Sequence, residues 1–582
     1  VFAKTVVFVT LLAAVGPRIA LASQPATIKV DLRQAPQAIF HADLSFPAKP
    51  GPMRLAYPRW IPGDHAPAGP IENLTGLVFT ANGTTLPWSR DPKELDQFEV
   101  IIPKGATRLD VHLDFLAIPA VARAINPAST AASDTLAVLR WHTVLLYPMG
   151  VDIAQYKIEP SVLLPDGWQF ACALPAQASA PNPGFAPVSL EKLVDSPFLT
   201  GRYFATYQLN PKLPIRHTVH IAADDAADLV VSTEQQQALA RLALEAHAMY
   251  GSWPFDHYDY LINISGKLRE HTSIGGQEHG DSSDDTGGPG VFTTSAGRES
   301  VGDTLSHEYS HSWNGKYRRP AGEKVHDYQQ PYDDSLNWVY EGLTTYLGHV
   351  LAARAGFWSL EEFYDEWAND AADMNYRPGR LWRNLQDTAT SLPTLMRAGF
   401  GWTSWRRSAD YYPEGALLWL DVDVTIRKLT ANRKSLDDVL QLFRAKQPGR
   451  DPTIKAYDFA ELVADLEKVI PNNWAQFLHT RLDSHASDAP IGGLTQSGWR
   501  VTYSPGENAF GKADEGADSV NADFSIGASI KADGAVQDVI WGGPSFKAGL
   551  GPGMKILTVN DRPFSLATLR TALDETATDT HA

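Results

Sequence analysis

The sequence predicts a multidomain α+β protein with an amino-terminal antiparallel β domain, a mainly helical middle domain and a small β-rich module at the carboxyl end. Three observations predict it. From about Thr27 to Thr206 apolar and polar residues alternate with period two, as in Leu109, Val111, Leu113 and Phe115, between Pro and Gly turns. From about Asp225 to Ser484 the pattern becomes helical, with capping residues ahead of the apolar runs. After Ile491 short strand-like runs and glycines return. A chain of 582 residues is also too long for one ordinary domain.

Residues 1–22 read as an export signal. Val6 to Val15 is apolar except for Thr10, follows Lys4 and precedes Ala20-Leu21-Ala22, which places cleavage near Ser23. The run is shorter than the ~20 residues that span a bilayer, and the remaining sequence offers no longer one. A periplasmic or secreted protein without stable membrane insertion is therefore expected. Cys172 is the sole cysteine, so no intrachain disulfide can form, a usage that suits a bacterial periplasm. The net charge of −17, with Lys and Arg scattered, argues against a nucleic-acid partner. Solubility explains that acidity, which also weakly favours substrates with a positive amino terminus.

Within the β domain, residues 23–206, the segment Tyr57-Pro58-Arg59-Trp60-Ile61-Pro62-Gly63 carries no derivable chemistry and is expected to shape a turn against the next domain. The middle domain, residues 207–485, has helix signals at Ser232 to Tyr250, Ser359 to Asn375, Ser435 to Arg444 and Asp458 to Ile470. Ser359 with Glu362, Ser435 with Asp438 and Asp458 with Glu461 resemble capping boxes. Tyr258 to Ile264 alternates as a strand would, then breaks into Gly275-Gly276-Gln277-Glu278-His279. Gly280 to Gly297, rich in Asp, Ser and Gly, reads equally as a flexible surface loop or a mobile cleft wall.

The most informative stretch is His307-Glu308-Tyr309-Ser310-His311. On a helix, HExxH sets two imidazoles one turn apart with a carboxylate beside them, the arrangement of a zinc peptidase. Asp303 or Thr304 is expected to cap this helix and Gly315 to end it. Catalytic zinc keeps three protein ligands and an open position for water, so a third ligand must come from elsewhere. Glu341 is the best candidate, in a helix expected from Ser335, its cap, to Ala355, closed by Gly356. A carboxylate buried there needs a cation, although an isolated Glu on a half-buried helix more often faces solvent. Gly342, Thr344, Thr345 and Gly348 would let the two helices approach closely. His279 is assigned to the loop rather than to the metal.

Trp338-Val339-Tyr340-Glu341-Gly342-Leu343-Thr344, together with HExxH and His311-Ser312-Trp313-Asn314-Gly315-Lys316, resembles the gluzincin metallopeptidases, whose catalytic domain is thermolysin-like. By that resemblance one Zn²⁺ is held by His307, His311 and Glu341. Glu278 maps onto the glutamate that holds a peptide's free amino group in aminopeptidase gluzincins, and Gly275 and Gly276 would let the peptide backbone come close. Tyr412, in Tyr411-Tyr412-Pro413-Glu414-Gly415 before an apolar helix reaching roughly Lys428, matches the tyrosine that donates to the tetrahedral intermediate, with Tyr411 as the alternative. Glu308 would be the general base. The Tyr57 to Gly63 segment extends the match to the glycyl aminopeptidase group of gluzincins that bear PDZ domains. Gln277 departs from that pattern, where an apolar residue is usual, as does the acidic run Asp281 to Asp285.

Gly542 to Ile556 resembles a bacterial PDZ module, with Met554 where Asp is common, in a unit spanning 486–582 that the resemblance allows to be incomplete. The expectation is an exported zinc aminopeptidase acting on peptides with a free N-terminus, Gly or Ala by resemblance. The rivals are a zinc endopeptidase of the same fold and a catalytically silent peptide-binding protein.

Overall fold

The computed structural model describes residues 25–577 except 119–129, 178–181, 210–211, 270–271, 396–397, 400, 444–453, 505–507 and 509–518. The export signal expected over residues 1–22 lies outside the described residues.

The amino-terminal domain is built on a seven-stranded sheet whose neighbouring strands are Val188–Ser189, Lys157–Leu163, Ala26–Asp31, Ile39–Pro47, Arg108–Leu116, Leu74–Ala81 and Thr84–Leu86. Arg108–Leu116 shows why the alternation was readable: Leu109, Val111, Leu113 and Phe115 are all buried while Asp110 is exposed. Pairing is antiparallel except where Ala26–Asp31 runs parallel to Lys157–Leu163, a long-range pairing that no local pattern announces.

Two consecutive strands carry the chain into the next layer. Phe198–Gly201 still pairs with strands of the β domain, whereas Tyr203–Leu209 is an edge of a five-stranded sheet. That sheet continues through Arg216–Ala223, His257–Ile264, Ser282–Gly287 and Ile274–Gly275. The central strand, His257–Ile264, pairs parallel with both neighbours, and every residue from Tyr258 to Ile264 is buried. The expected strand is present, and it is buried on both faces as a central parallel strand is. Gly280 to Gly297 is corrected. It supplies the buried strand Ser282–Gly287 and the start of the HExxH helix, because its acids have partners. Asp284 pairs with Arg140 at 2.8 Å and Asp281 with Lys192 at 2.5 Å, both cations coming from the β domain, while Asp285 accepts from Ser283 at 2.6 Å.

The HExxH helix runs Ser295–His311, capped by Thr294, and so begins well before Asp303. Two glycines disguised its first turns. Gly297 presses on the Val291 carbonyl and Gly302 on Phe357, so both serve close packing inside the helix. The expected Ser335 to Ala355 helix is interrupted. A 3₁₀ turn, Asp334–Leu336, capped by Asp333, leads into Asn337–Tyr340, and after Glu341 the helix restarts as Gly342–Ala355 with Gly356 in the left-handed closing position. Thr233–Tyr250 and Leu360–Asn375 follow their caps Ser232 and Ser359. Ser435 caps only Leu436–Leu440 before a 3₁₀ turn, and Arg444 lies outside the described residues. One apolar core unites the sheet and these helices, with Tyr250 stacked on Trp313 at 4.6 Å and Trp338 on Trp419 at 5.8 Å.

At the carboxyl end, Ser519–Ala522, Ala528–Lys531 and Val536–Val539 form an antiparallel sheet packed with helix Leu566–Ala577. Asp538 accepts from the backbone amides of Trp402 and Thr403, and Trp405 stacks on Trp541 at 4.9 Å, which fastens this unit to the helical domain. Among the described residues no helix is long and apolar enough to cross a membrane.

Candidate metal centre

The site is assembled at the end of the HExxH helix. Tyr309, on the far side of that helix, donates its phenol hydrogen to His217 Nε2 at 2.8 Å, while His217 Nδ1 donates to the Ile215 carbonyl at 2.9 Å. The helix is thereby registered on the sheet, leaving His307 and His311 to face Glu341. Gly348 approaches His307 so closely that an added Cβ would lie 3.3 Å from the His307 Cβ. Gly342 meets Gly415 in the same way, at 2.8 Å from its Cα, which draws the Pro413–Leu429 helix and its preceding tyrosines against the break at Glu341.

His307 Nε2 and His311 Nε2 lie 3.1 and 3.3 Å from Glu341 Oε2 and 3.0 Å from each other. His311 Nδ1 donates to the Asn314 carbonyl at 2.9 Å, so its Nε2 presents a lone pair. Lone pairs and a carboxylate oxygen meeting in one place repel unless a cation joins them. Tetrahedral donors at zinc–ligand distances of ~2.0–2.1 Å stand about 3.3 Å apart, and the observed triangle fits that spacing. Burial opposes ionisation of Glu341, but His311, His307 and His65 outweigh it and hold the carboxyl well below its usual range.

Glu308 projects beside this triangle, buried but not part of it. Burial, followed by Glu278, Asp285 and Glu341, pushes its carboxyl well above the ordinary range, toward holding a proton. Gly276 touches it: a Cβ there would fall 2.3 Å from Glu308 Cγ. Gly275 instead lies against Arg269.

Carboxylate oxygens of Glu278 and Glu308 and a ring nitrogen of His311 fall within 4.8 Å of one another. Glu278 accepts from the Tyr340 phenol at 2.6 Å and from Gln277 Nε2 at 2.6 Å, with Lys316 Nζ 3.8 Å away. Burial raises its pKa, yet Lys316 and His311 overcome that and bring it down to about 2. The Tyr412 ring lies 6.0 Å from that of His307. Its ionisation is driven well upward by burial and by Glu341, Tyr411, Glu308 and Glu278, so its phenol stays protonated facing the acids of the site. Tyr411, 3% exposed, is buried in the apolar core beside it, with Glu341, Asp334 and Asp410 as its charged neighbours. His279 is turned away, with Nδ1 3.3 Å from Asp195.

The structure adds residues that sequence reasoning did not find. The turn beginning at Tyr57 does shape itself against the next domain, but it also inserts: an added Cβ at Gly63 would sit 2.5 Å from Glu278 Oε1. Two residues on, His65, 3% exposed, brings Nε2 to 3.0 Å from Glu341 Oε1. The turn-rich Ile61-Pro62-Gly63-Asp64-His65 was the only available signal.

Residues 27–202 match the Peptidase M61 N-terminal domain, and residues 300–418 match the M61 glycyl aminopeptidase. The fold is that of an aminopeptidase N family protein from Idiomarina loihiensis, 19% identical, with a TM-score of 0.80 over 94% of this chain and 92% of that one. An M1 zinc metallopeptidase from Deinococcus radiodurans aligns at 14% identity with a TM-score of 0.48, over 80% of this chain and 94% of that one. No curated protein matches.

Proposed function

The chain belongs to the M61 glycyl aminopeptidase family and is a peptidase, and from that premise we propose an exported zinc aminopeptidase that removes single residues, Gly or Ala by family, from peptides with a free N-terminus. The observation that carries this reading is the triangle of His307, His311 and Glu341 donor atoms at 3.0, 3.1 and 3.3 Å, the proposed ligand set for one catalytic zinc.

Zinc bound there would supply Lewis acidity for the scissile carbonyl and lower the pKa of water toward about 7. Glu308 takes the proton from the attacking water on its carboxylate and returns it to the leaving amine, from its buried position beside the triangle. Glu278, brought down to about 2, is ionised at neutral pH and can face a substrate ammonium with its charge. Tyr412 donates its phenol hydrogen to the oxyanion, and Gly276, lacking a side chain, makes room for the Glu308 carboxyl that packs against it.

The β domain of residues 23–206, the catalytic domain of 207–485 and a PDZ-like unit of 486–582 complete the proposed organisation. The test is hydrolysis of free and N-acetylated Gly, Ala and Leu anilides, with and without a chelator. Chelator-sensitive cleavage restricted to free amines is expected; equal cleavage of acetylated substrates would instead indicate an endopeptidase, and zinc-free protein without turnover a silent binder.

A further inference from the structure

Glu341 is shared between two clusters. Its Oε2 faces His307 and His311, whereas its Oε1 lies 3.0 Å from His65 Nε2. The other nitrogen of His65, Nδ1, points away from Glu341 toward Asp334 Oδ1 at 3.4 Å and Glu323 Oε2 at 3.5 Å. One donor atom from each of His65, Glu323 and Asp334 falls within 4.8 Å of the other two.

This cluster is more than a group of acids. His65, Glu323 and Asp334 are 3%, 4% and 2% exposed. His65 Nδ1, Glu323 Oε1 and both Asp334 carboxylate oxygens have no hydrogen-bond partner. A buried carboxylate with neither oxygen hydrogen-bonded is costly unless a cation satisfies it. The buried guanidinium of Arg319 is directed to the Gly315 carbonyl and Glu191 instead. Separations of 3.4 and 3.5 Å are long for hydrogen bonds to an imidazolium, but match donors arranged around a common zinc-sized ion, which stand about 3.3 Å apart. The tautomer agrees. If Nε2 carries the hydrogen donated to Glu341, Nδ1 is left with a lone pair. Two carboxylates and one divalent ion also sum to zero charge.

We propose that His65, Glu323 and Asp334 form a second divalent-cation site, taking zinc, next to the candidate metal centre and linked to it through the His65–Glu341 hydrogen bond. Its ligands come from both domains: His65 from the β domain, Glu323 and Asp334 from the catalytic domain. Filling it would clamp the inserted turn and fix Glu341 through its outer oxygen, the way an ordered hydrogen bond orients a metal ligand. The proposal adds to the one-zinc reading and shares Glu341 with it.

The test is metal content of the full chain, loaded with zinc and passed through metal-free buffer, together with anomalous diffraction at the zinc edge. Wild type should hold two ions per chain. Glu323→Gln and Asp334→Asn should each lose one ion while His307 and His311 keep theirs, and His311→Asn should lose only the other. The anomalous map of the wild type decides even if a variant fails to fold. A single peak at His307 and His311, with none between His65, Glu323 and Asp334, overturns the second site and leaves the aminopeptidase reading intact. A peak at the second cluster alone would support it while overturning the catalytic centre.

Discussion

Tyr340 donates its phenol hydrogen to Glu278 Oε1 at 2.6 Å, and the next residue in the chain, Glu341, faces His307 and His311. Adjacent residues at one helix break thus hold the carboxylate proposed to bind the substrate amine and the carboxylate proposed to bind metal. Any shift of this break would move both together.

Tyr340→Phe should therefore impair recognition of the free amine rather than metal binding. A hydrogen bond to a charged group is worth about 1.5–3 kcal/mol, so kcat/KM for a free alanyl anilide should fall roughly ten- to a hundred-fold, mainly through KM. Glu278→Ala should go further on the same substrate. Zinc content should be unchanged in both variants, and steady-state kinetics with metal analysis checks the pair.

Tyr412→Phe should lower kcat with little change in KM. Removing one oxyanion donor costs about 2.7–4 kcal/mol, or roughly a hundred- to a thousand-fold. Tyr411→Phe should stay near wild type, because that ring belongs to the buried apolar core while Tyr412 is only partly covered. The reverse order in a side-by-side assay would exchange their roles.

The local chemistry of the centre was legible because it is local. HExxH spacing needs only the helix period, and the caps at Ser232 and Ser359 sit beside the turns they close. What depended on distant partners was hidden. Gly280 to Gly297 read as a surface loop or a mobile cleft wall because Arg140 and Lys192, which neutralise two of its acids, lie in the other domain. The turns before Asp303 were hidden because the contacts that Gly297 and Gly302 make, with Val291 and Phe357, form only after folding. His65 showed only as part of a turn, because its partner Glu341 is 276 residues away.

His217 should make stability fall on mild acidification. Burial drives its pKa down to about 4, against opposing effects of the Ile215 carbonyl and Asp259, and its neutral ring uses both nitrogens. Above the unfolded value of about 6.5 neither state binds this proton, so the contribution is fully present. Between about 6.5 and 4 the unfolded chain gains a proton that the folded chain refuses, and stability drops by on the order of 3 kcal/mol. Urea midpoints at pH 7 and pH 5 should differ less in His217→Gln than in wild type.

Arg407 should be a stability determinant beneath the tyrosine pair. Its buried guanidinium bonds Asp410 at 2.6 Å and also Glu414, which Arg380 meets at 3.1 Å. Arg407→Met removes one partner and strands Asp410, a defect that costs about 3–5 kcal/mol. Denaturant unfolding should show a loss of that size, with zinc binding retained in the folded fraction.

The central claim is that Glu308 moves the proton at a centre whose metal is held by His307, His311 and Glu341. The most direct measurement is turnover of an alanyl anilide by Glu308→Gln together with its zinc content. The expected result is a wild-type metal load with kcat lower by about 10²–10⁴-fold. Full activity in Glu308→Gln protein carrying that same load would contradict it.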